Sequence, residues 1–404
     1  MKYLYLFILL CGSLFGKIQL GVDVFFQEER FKALKGKKVA LLLNHTSVDG
    51  QLSPTLELLQ QVEGDFKITA LFCPEHGFTG VAHNAENVAH KKEGKLTCYS
   101  LHGTHRRPTA EMLKGIDVII CDLQDIGCRS YTYATTLYYV MEEAAKKNIE
   151  VIVFDRPNPL GGMVVDGPML KNTNRSFLGY INVPYCHGMT IGELARFFNE
   201  EYKVKCKLKV IPMKGWKRDM TYQETGLAWT PTSPQIPEAD TPFFYPATGL
   251  LGGLQLVSIG IGYTLPFKVV GAPWIDGKAF AKTLNEQNLK GVKFLPFHFK
   301  PYFGPYKNEE CQGVRILITD PKHFRPVSID YIIMGVLKSL YPREVIQRLK
   351  ALPESKRELF CKANGNTVIL DILLKEKYAG WKMVSVDKEE RKAFLDKRQK
   401  YLIY

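Results

Sequence analysis

The strongest constraint on the fold is a set of four short, continuously apolar runs in the first half of the chain. They read KKVALLLN (37–44), KITALFCPEH (67–76), DVIICDLQD (117–125) and EVIVFDRPN (150–158). Strands that are apolar at every position have both faces buried, which is typical of a parallel sheet covered by helices on both sides. Helical patterns at 53–62, 109–115, 131–148 and 190–202 separate or follow these runs. The first half is therefore predicted to be α/β, a Rossmann-like doubly wound parallel sheet.

The second half has a different pattern. Residues 203–268 are rich in Gly and Pro and are predicted to be mostly loops. A helix near 277–287, a strand at 313–320 and a helix at 328–341 then predict a smaller C-terminal α+β domain. We place a signal peptide at 1–16, the Rossmann-like catalytic domain at 17–235 and the C-terminal domain at 236–404.

The N-terminus predicts export. Lys2 precedes an apolar run that ends in small residues, which is the pattern of a secretory signal peptide for periplasmic or extracellular delivery. Cys11 leaves lipoprotein anchoring open, although Leu10 before it fits that signal poorly. No later run reaches the roughly 18 apolar residues of a membrane span, so none is expected.

The net charge of +13 favours an anionic partner. No nucleic-acid-binding motif is visible, so nucleic acid is not the expected partner. No GxGxxG follows the first strand, and GxxxxGK[ST], HExxH and GxSxG do not occur. Dinucleotide, P-loop, zincin and α/β-hydrolase functions are therefore disfavoured, and no cofactor is expected.

Each of the four apolar runs ends in polar residues. Open parallel sheets bind ligands outside the carboxyl ends of their strands, so these endings predict a polar crevice. They comprise Asn44 and His45; Glu75 and His76; Asp122, Gln124 and Asp125; and Asp155, Arg156 and Asn158. Glu75, between Phe72 and Phe78, is the best single catalytic candidate, because partial desolvation suits a general acid. A salt-bridged cap of the strand is the alternative.

Histidines at 76, 83 and 90 lie beside Glu75 and Glu86 and raise a metal-dependent hydrolase as a further hypothesis. Seven-residue spacing in a loop has no special geometry, so we predict no metal.

Several longer motifs share one order along the chain. They are PEHGFTG, DLQDIGCRSYTY, DRPNPLGG, DGPML, HGMTIGELARFFN, MKGWKRDM, YPATGL and VGAPW. In this order they resemble the exo-β-N-acetylmuramidase family of bacterial cell-wall enzymes over roughly residues 18–404. The resemblance implies a cleft between the two domains. It also implies removal of N-acetylmuramic acid from the non-reducing end of peptidoglycan fragments, with a MurNAc-GlcNAc type glycan as partner.

The resemblance also implies roles for individual residues. The glutamate of PEHG is Glu75, the implied catalytic residue, with His76 beside it. Glycoside hydrolysis usually needs a second carboxylate. We favour Asp125, with Asp122, Glu86, Asp155 and Asp166 left open. By their positions in the motifs, the residues implied to contact the sugar are Asn44, Tyr131, Tyr133, Asn158 and His187.

The lactyl group of the implied substrate is a carboxylate, so a cationic side chain is expected to bind it. Arg129 or Arg156 could bind it bidentately. A structural bridge to a neighbouring aspartate is the alternative for each arginine.

The sequence departs from the family pattern in GGLQLVSIGIGYTLPF (252–267). The family typically has acidic residues at 252 and 259 and basic residues at 261 and 265. This chain has Gly252, Ile259, Ile261 and Leu265 there, and Cys186 replaces a basic residue before HGMT. The alternative hypothesis is therefore a divergent member that binds glycan or muropeptide with altered or lost activity.

Overall fold

The computed structural model describes residues 18–82, 91–94 and 96–404. The strands are β1 Lys38–Leu43, β2 Lys67–Cys73, β3 Lys91–Glu93, β4 Leu96–Ser100, β5 Val118–Asp122, β6 Glu150–Phe154, β7 Asp166–Met169, β8 Pro184–Cys186, β9 Lys207–Ile211, β10 Val269–Ala272, β11 Val292–Phe299 and β12 Cys311–Ile318. The helices are α1 Gly21–Gln27, α2 Thr55–Gln61, α3 Thr132–Lys146, α4 Ile191–Glu201, α5 Thr241–Gly253, α6 Gly277–Glu286, α7 Pro326–Leu340, α8 Pro342–Ala351, α9 Glu354–Asn364, α10 Val368–Lys375, α11 Ala379–Ser385 and α12 Lys388–Arg398.

A seven-stranded sheet in the order β3-β4-β2-β1-β5-β6-β9 organises the N-terminal half. Six strands are parallel, and β3 pairs antiparallel with β4 at the edge. Successive residues of β1 enter cores on opposite faces: Val39 and Leu41 pack on one side, Ala40 and Leu42 on the other. The doubly wound α/β prediction is confirmed, because each apolar run serves two cores at once.

The C-terminal half carries a three-stranded antiparallel sheet, β10-β12-β11, and most of the helices. Its long buried helix α7 packs against α5 and α11. This arrangement confirms the smaller α+β region. The domain boundary predicted at 235/236 stays a prediction.

One local prediction was wrong. Residues 109–115 form turns rather than a helix. The stretch 203–268 is mostly loop, as predicted, but it also contains β9 and α5. Helix α5 was hidden by Pro242 in its first turn and Pro246 inside it, and proline ordinarily signals a break. Strand β9 alternates lysine with apolar residues because it lies at the sheet edge.

Some predictions fall outside the described residues. They are the signal peptide at 1–16, with Cys11, and the metal cluster members His83, Glu86 and His90. Within the described ranges, no group of three His, Cys, Asp or Glu side chains could hold a metal ion. In the same ranges, no helix has the length and apolar character needed to cross a bilayer.

Candidate active site

A tight turn follows β2 and presents the glutamate of the PEHG motif. The Gly77 N–H donates to the Pro74 carbonyl (3.1 Å), which closes the turn. His76, inside it, has a φ of 71°, in the left-handed region that side chains other than Gly rarely adopt. Strained backbone of this kind clusters at functional sites. The turn lifts Glu75 beyond the carboxyl edge of the sheet, where ligands of such folds bind.

Glu75 is held by two side chains from distant parts of the chain. Thr132 Oγ1, in the first residue of α3, donates to Glu75 Oε2 at 2.7 Å. His102 Nε2 lies 3.8 Å from Glu75 Oε1. Burial lowers the pKa of His102, and the charge of Glu75 opposes that shift in part. Only 7% of Glu75 is exposed, so its carboxyl is both oriented and largely shielded from bulk water.

A cavity of about 610 Å³ lies over Glu75. Its polar side is formed by Glu75, His76, Ser130, Tyr131 and Thr132. The remainder of its lining is mostly apolar and comprises Leu178, Ser233, Pro234, Gln235, Ile236, Tyr245, Ile261, Phe267 and Phe303. Glu75 is the only carboxylate that lines the cavity within the described residues. A few convergent polar groups on an apolar and aromatic background suit a small organic ligand such as a sugar.

The stretch between β5 and α3 supplies much of the polar side. The Ser130 hydroxyl is hydrogen-bonded to the hydroxyls of Tyr185 (2.6 Å) and Tyr245 (3.2 Å). The ring of Tyr131 lines the cavity and lies edge-on to Tyr133, with centroids 4.7 Å apart. Tyr133 is fully buried, and its hydroxyl donates to the Thr232 carbonyl (2.6 Å). Tyr131 therefore faces the ligand space, whereas Tyr133 fixes the loop that forms the opposite wall.

Asp125 and His187 form a buried pair away from the cavity lining. Asp125 Oδ2 accepts the Gly127 N–H (2.7 Å) and lies 3.9 Å from His187 Nε2. Burial raises the pKa of Asp125 to about 7. Burial, with the nearby Arg398 charge, lowers the pKa of His187 to about 3. Their surroundings thus disfavour charge on both groups, and the structure does not bring either to the cavity.

The two predicted carboxylate-binding arginines are engaged in the interior. Arg156 grips Asp122 through Nε (2.5 Å) and Nη2 (2.8 Å), the structural bridge left open as its alternative. Arg129 donates to backbone carbonyls, including those of Pro168 (2.8 Å) and Asn364 (2.5 Å), and so ties the N-terminal half to the end of α9. Neither lines the cavity, so these contacts give no support to a substrate-binding role.

The two predicted asparagines shape strand ends. Asn44 Oδ1 accepts both the N–H (3.0 Å) and the hydroxyl (2.6 Å) of Thr46. Asn158 Oδ1 accepts the Leu160 N–H, and its Nδ2 donates to the Met189 carbonyl (both 3.0 Å). Both are buried and positioned by local backbone. Neither is among the residues that line the cavity.

Arg106 is a cation near the site that sequence reasoning missed. Its guanidinium lies 4.5 Å from the centre of the Phe177 ring, and that ring lies 6.0 Å from His102. Its charge contributes to the lowered pKa of His102. The adjacent Arg107 instead pairs with Glu142 (2.5 Å). The sequence signal for this cation was the pair of adjacent arginines in THRRPTAEM, and the sequence alone did not show which of the two lies beside the site.

The divergent segment 252–267 reaches the cavity. Ile261 and Phe267 line its apolar wall. Gly252 packs against Ile259, whose Cδ1 would lie 2.4 Å from a Cβ at position 252. Two of the changed positions thus fill one another's space, and a third faces the ligand.

Comparisons with known proteins agree over most of the chain. Residues 39–240 match the family "Exo-beta-N-acetylmuramidase NamZ, N-terminal", and residues 243–404 match its C-terminal counterpart. The chain is 40% identical over 330 residues to the peptidoglycan beta-N-acetylmuramidase NamZ of Bacillus subtilis, covering 81% of this chain and 79% of that protein. Two crystal structures of DUF1343 family proteins from Bacteroides fragilis superpose with TM-scores of 0.90 and 0.74, at 39% and 27% identity. Each superposition covers 96% of this chain and 99% of the other.

Proposed function

This chain belongs to the exo-β-N-acetylmuramidase NamZ family and is a glycoside hydrolase, and we propose that it releases N-acetylmuramic acid from the non-reducing end of peptidoglycan fragments. The Bacillus relative is a peptidoglycan β-N-acetylmuramidase, which supports this substrate class. The observation that carries the proposal is Glu75, the one carboxylate among the described residues that lines the cavity, oriented by Thr132 with His102 beside it.

In the proposed reaction Glu75 is the general acid. It donates its proton to the glycosidic oxygen as the bond from that oxygen to the anomeric carbon breaks, and water completes the hydrolysis. Thr132 donates to one oxygen of this carboxyl group, and His102 lies beside the other. Asp125 stays our prediction for the second carboxylate, although its buried position requires a path for water to reach it.

In this proposal Arg106, instead of Arg129 or Arg156, binds the lactyl carboxylate of the substrate. Its guanidinium is exposed, is supported by the face of Phe177, and is on the same side as His102 and Glu75. A carboxylate that approaches the rim of the cavity would meet this charge first. Planar guanidinium groups bind carboxylates bidentately, which orients the sugar as well as attracting it.

The function is tested with two isomeric disaccharides. MurNAc-GlcNAc carries the muramic acid at its non-reducing end, and GlcNAc-MurNAc carries it at the reducing end. The enzyme should release free N-acetylmuramic acid from the first and leave the second intact, with Glu75→Gln as the inactive control. Cleavage of both, or release of N-acetylglucosamine from the second, would contradict the exo-muramidase proposal.

A second candidate is a family member that binds a related ligand with little turnover. The observation that favours it is the apolar wall at Ile261 and Phe267, where the family pattern carries charge at 261. Calorimetry with MurNAc-GlcNAc separates the candidates. Saturable binding without product, even when enzyme and ligand are present at equal concentration, would establish the binding role.

We also propose export through the segment 1–16 and a role in cell-wall turnover. N-terminal sequencing of the protein recovered from an expressing cell tests the cleavage, and mass spectrometry tests a lipid on Cys11. An intact N-terminus in the cytoplasmic fraction would overturn export.

A further inference from the structure

Two buried cysteines face each other beside the candidate active site. Cys128 lies in the segment between β5 and α3, and Cys186 ends β8. Both side chains are 0% exposed, and both are free thiols in this structure. Their backbones form an antiparallel β-bridge, residue 128 directly opposite residue 186.

The register of the bridge places the two thiols close together. The Arg129 N–H donates to the Tyr185 carbonyl at 2.7 Å, so the backbone bond joins residues that flank the cysteines. The cysteines are therefore a non-hydrogen-bonded antiparallel pair, whose Cα atoms are typically about 4.5 Å apart. Disulfides span Cα separations of about 4.4–6.8 Å, so the backbone is already within range.

The electrostatics of the pair agree with this placement. The pKa of Cys186 is raised well above its ordinary value, first by burial and next by the neighbouring Cys128 thiol. The Cys128 Sγ donates to the Ile126 carbonyl at 3.9 Å, so a side-chain rotation that releases this weak contact would turn the sulfur toward Cys186. No backbone movement is required by the register.

We propose that Cys128 and Cys186 form a disulfide that locks the active-site segment to β8. The step is a thiol–disulfide exchange with an external disulfide oxidant such as oxidised glutathione. Both S–H bonds and the oxidant's S–S bond break, and the new S–S bond forms. Two electrons pass to the oxidant, and its two sulfurs leave as thiols. An exported chain would meet such oxidants while folding, before the pair is buried.

The cross-link would hold the site on two sides. Cys128 is two residues before Ser130 and four before Thr132, which line the cavity, and Thr132 holds Glu75. Cys186 is directly followed by His187, the neighbour of Asp125. A covalent bond here fixes the start of α3 against β8 without occupying the ligand space.

The test uses the full chain refolded in a glutathione redox buffer. We expect two fewer thiols than in the reduced protein when both are counted in denaturant. A non-reduced digest should contain the peptides of residues 128 and 186 joined. Reduction should lower Tm by roughly 4–8 °C, because the unfolded chain regains the conformational entropy of the loop that the disulfide closes, and the size of the protein determines how far Tm shifts. The double variant Cys128→Ala, Cys186→Ala should show a Tm that does not respond to reductant.

Cys206→Ser provides the matched control, because it removes a buried thiol just before β9 and should keep the full response to reductant. An unchanged thiol count in oxidising buffer would overturn the proposal. So would a joined peptide that links a different pair of cysteines, or a double variant that still responds to reductant. If the double variant fails to fold, the peptide map of the wild-type protein decides alone.

Discussion

Glu75→Gln is the substitution that best separates the proposed general acid from other roles. Glutamine keeps the shape of the side chain and an oxygen that can still accept the 2.7 Å bond from Thr132. The fold should therefore survive, and only the transferable proton is lost. General acid catalysis typically contributes about 10²–10⁴-fold, or about 3–5 kcal/mol of activation free energy.

The leaving group determines how much of this loss appears. The GlcNAc unit of MurNAc-GlcNAc is a poor leaving group unless its oxygen is protonated. For this substrate, kcat/KM of the variant should therefore fall by about 10²–10⁴-fold. The nitrophenolate of a nitrophenyl β-N-acetylmuramide departs readily as an anion without protonation, so kcat/KM for that substrate should fall far less. The assay compares both substrates with wild type and variant, with melting curves to confirm the fold.

Equal losses on both substrates would refute the reasoning. That result would make Glu75 a nucleophile or a binding group, because such roles do not depend on protonating the leaving group. A variant that melts well below the wild type would indicate instead that the strained turn depends on the carboxylate.

Three further predictions concern residues around the cavity. Arg129→Met and Arg156→Met should each cost about 3–5 kcal/mol in urea unfolding, because each leaves buried polar partners unpaired; a higher KM at unchanged stability would instead restore their substrate-binding role. Burial raises the pKa of Asp125 from 3.8 to about 7, so wild-type stability from this group is present below about pH 4 and lost as pH rises to about 7. The free energy of unfolding of Asp125→Asn, measured relative to wild type by urea titration, should therefore be higher at about pH 8 than at about pH 4, by at most ~4 kcal/mol. A difference between variant and wild type that is the same at both pH values would show that the carboxyl does not titrate in this range. Arg106→Gln should raise KM for MurNAc-GlcNAc by a factor of about 1.5 to 5, the value of roughly one exposed ion pair. Arg175→Gln, an exposed arginine stacked 3.7 Å from the Tyr180 ring, should leave KM unchanged, and a matching rise there would remove the specific role of Arg106.

The interior strands of the sheet were predictable, and its edges were not. β1, β2, β5 and β6 are mostly apolar between their charged end residues because both of their faces are buried. The edge strands alternate or are very short, since one side meets solvent, and β9 with its lysines gave no strand signal. Tertiary packing also overrode local preference in α5, whose buried position stabilises a helix despite Pro246.

The site was predicted only where one short stretch of sequence contains it. Glu75 and His76 share a turn and were recognised as a pair at a strand end. His102 and Thr132, which contact Glu75, are 27 and 57 residues further along the chain. No local pattern connects them, because the parallel sheet brings the ends of β2, β4 and β5 to one edge only after folding.

The same separation explains why motif position alone does not show which residues line the cavity. In DLQDIGCRSYTY, the consecutive residues Ser130, Tyr131 and Thr132 line the cavity. The flanking Arg129 and Tyr133 instead donate to surrounding backbone carbonyls. The residues of such a motif are neighbours in the chain, but they do not share one function. The divergent wall at Ile261 can be considered separately from the proton donor, because the contacts that Thr132 and His102 make with Glu75 come from outside 252–267. Change there can alter which ligand fits while leaving the proton donor in place, so altered specificity is a simpler consequence of that segment than lost chemistry.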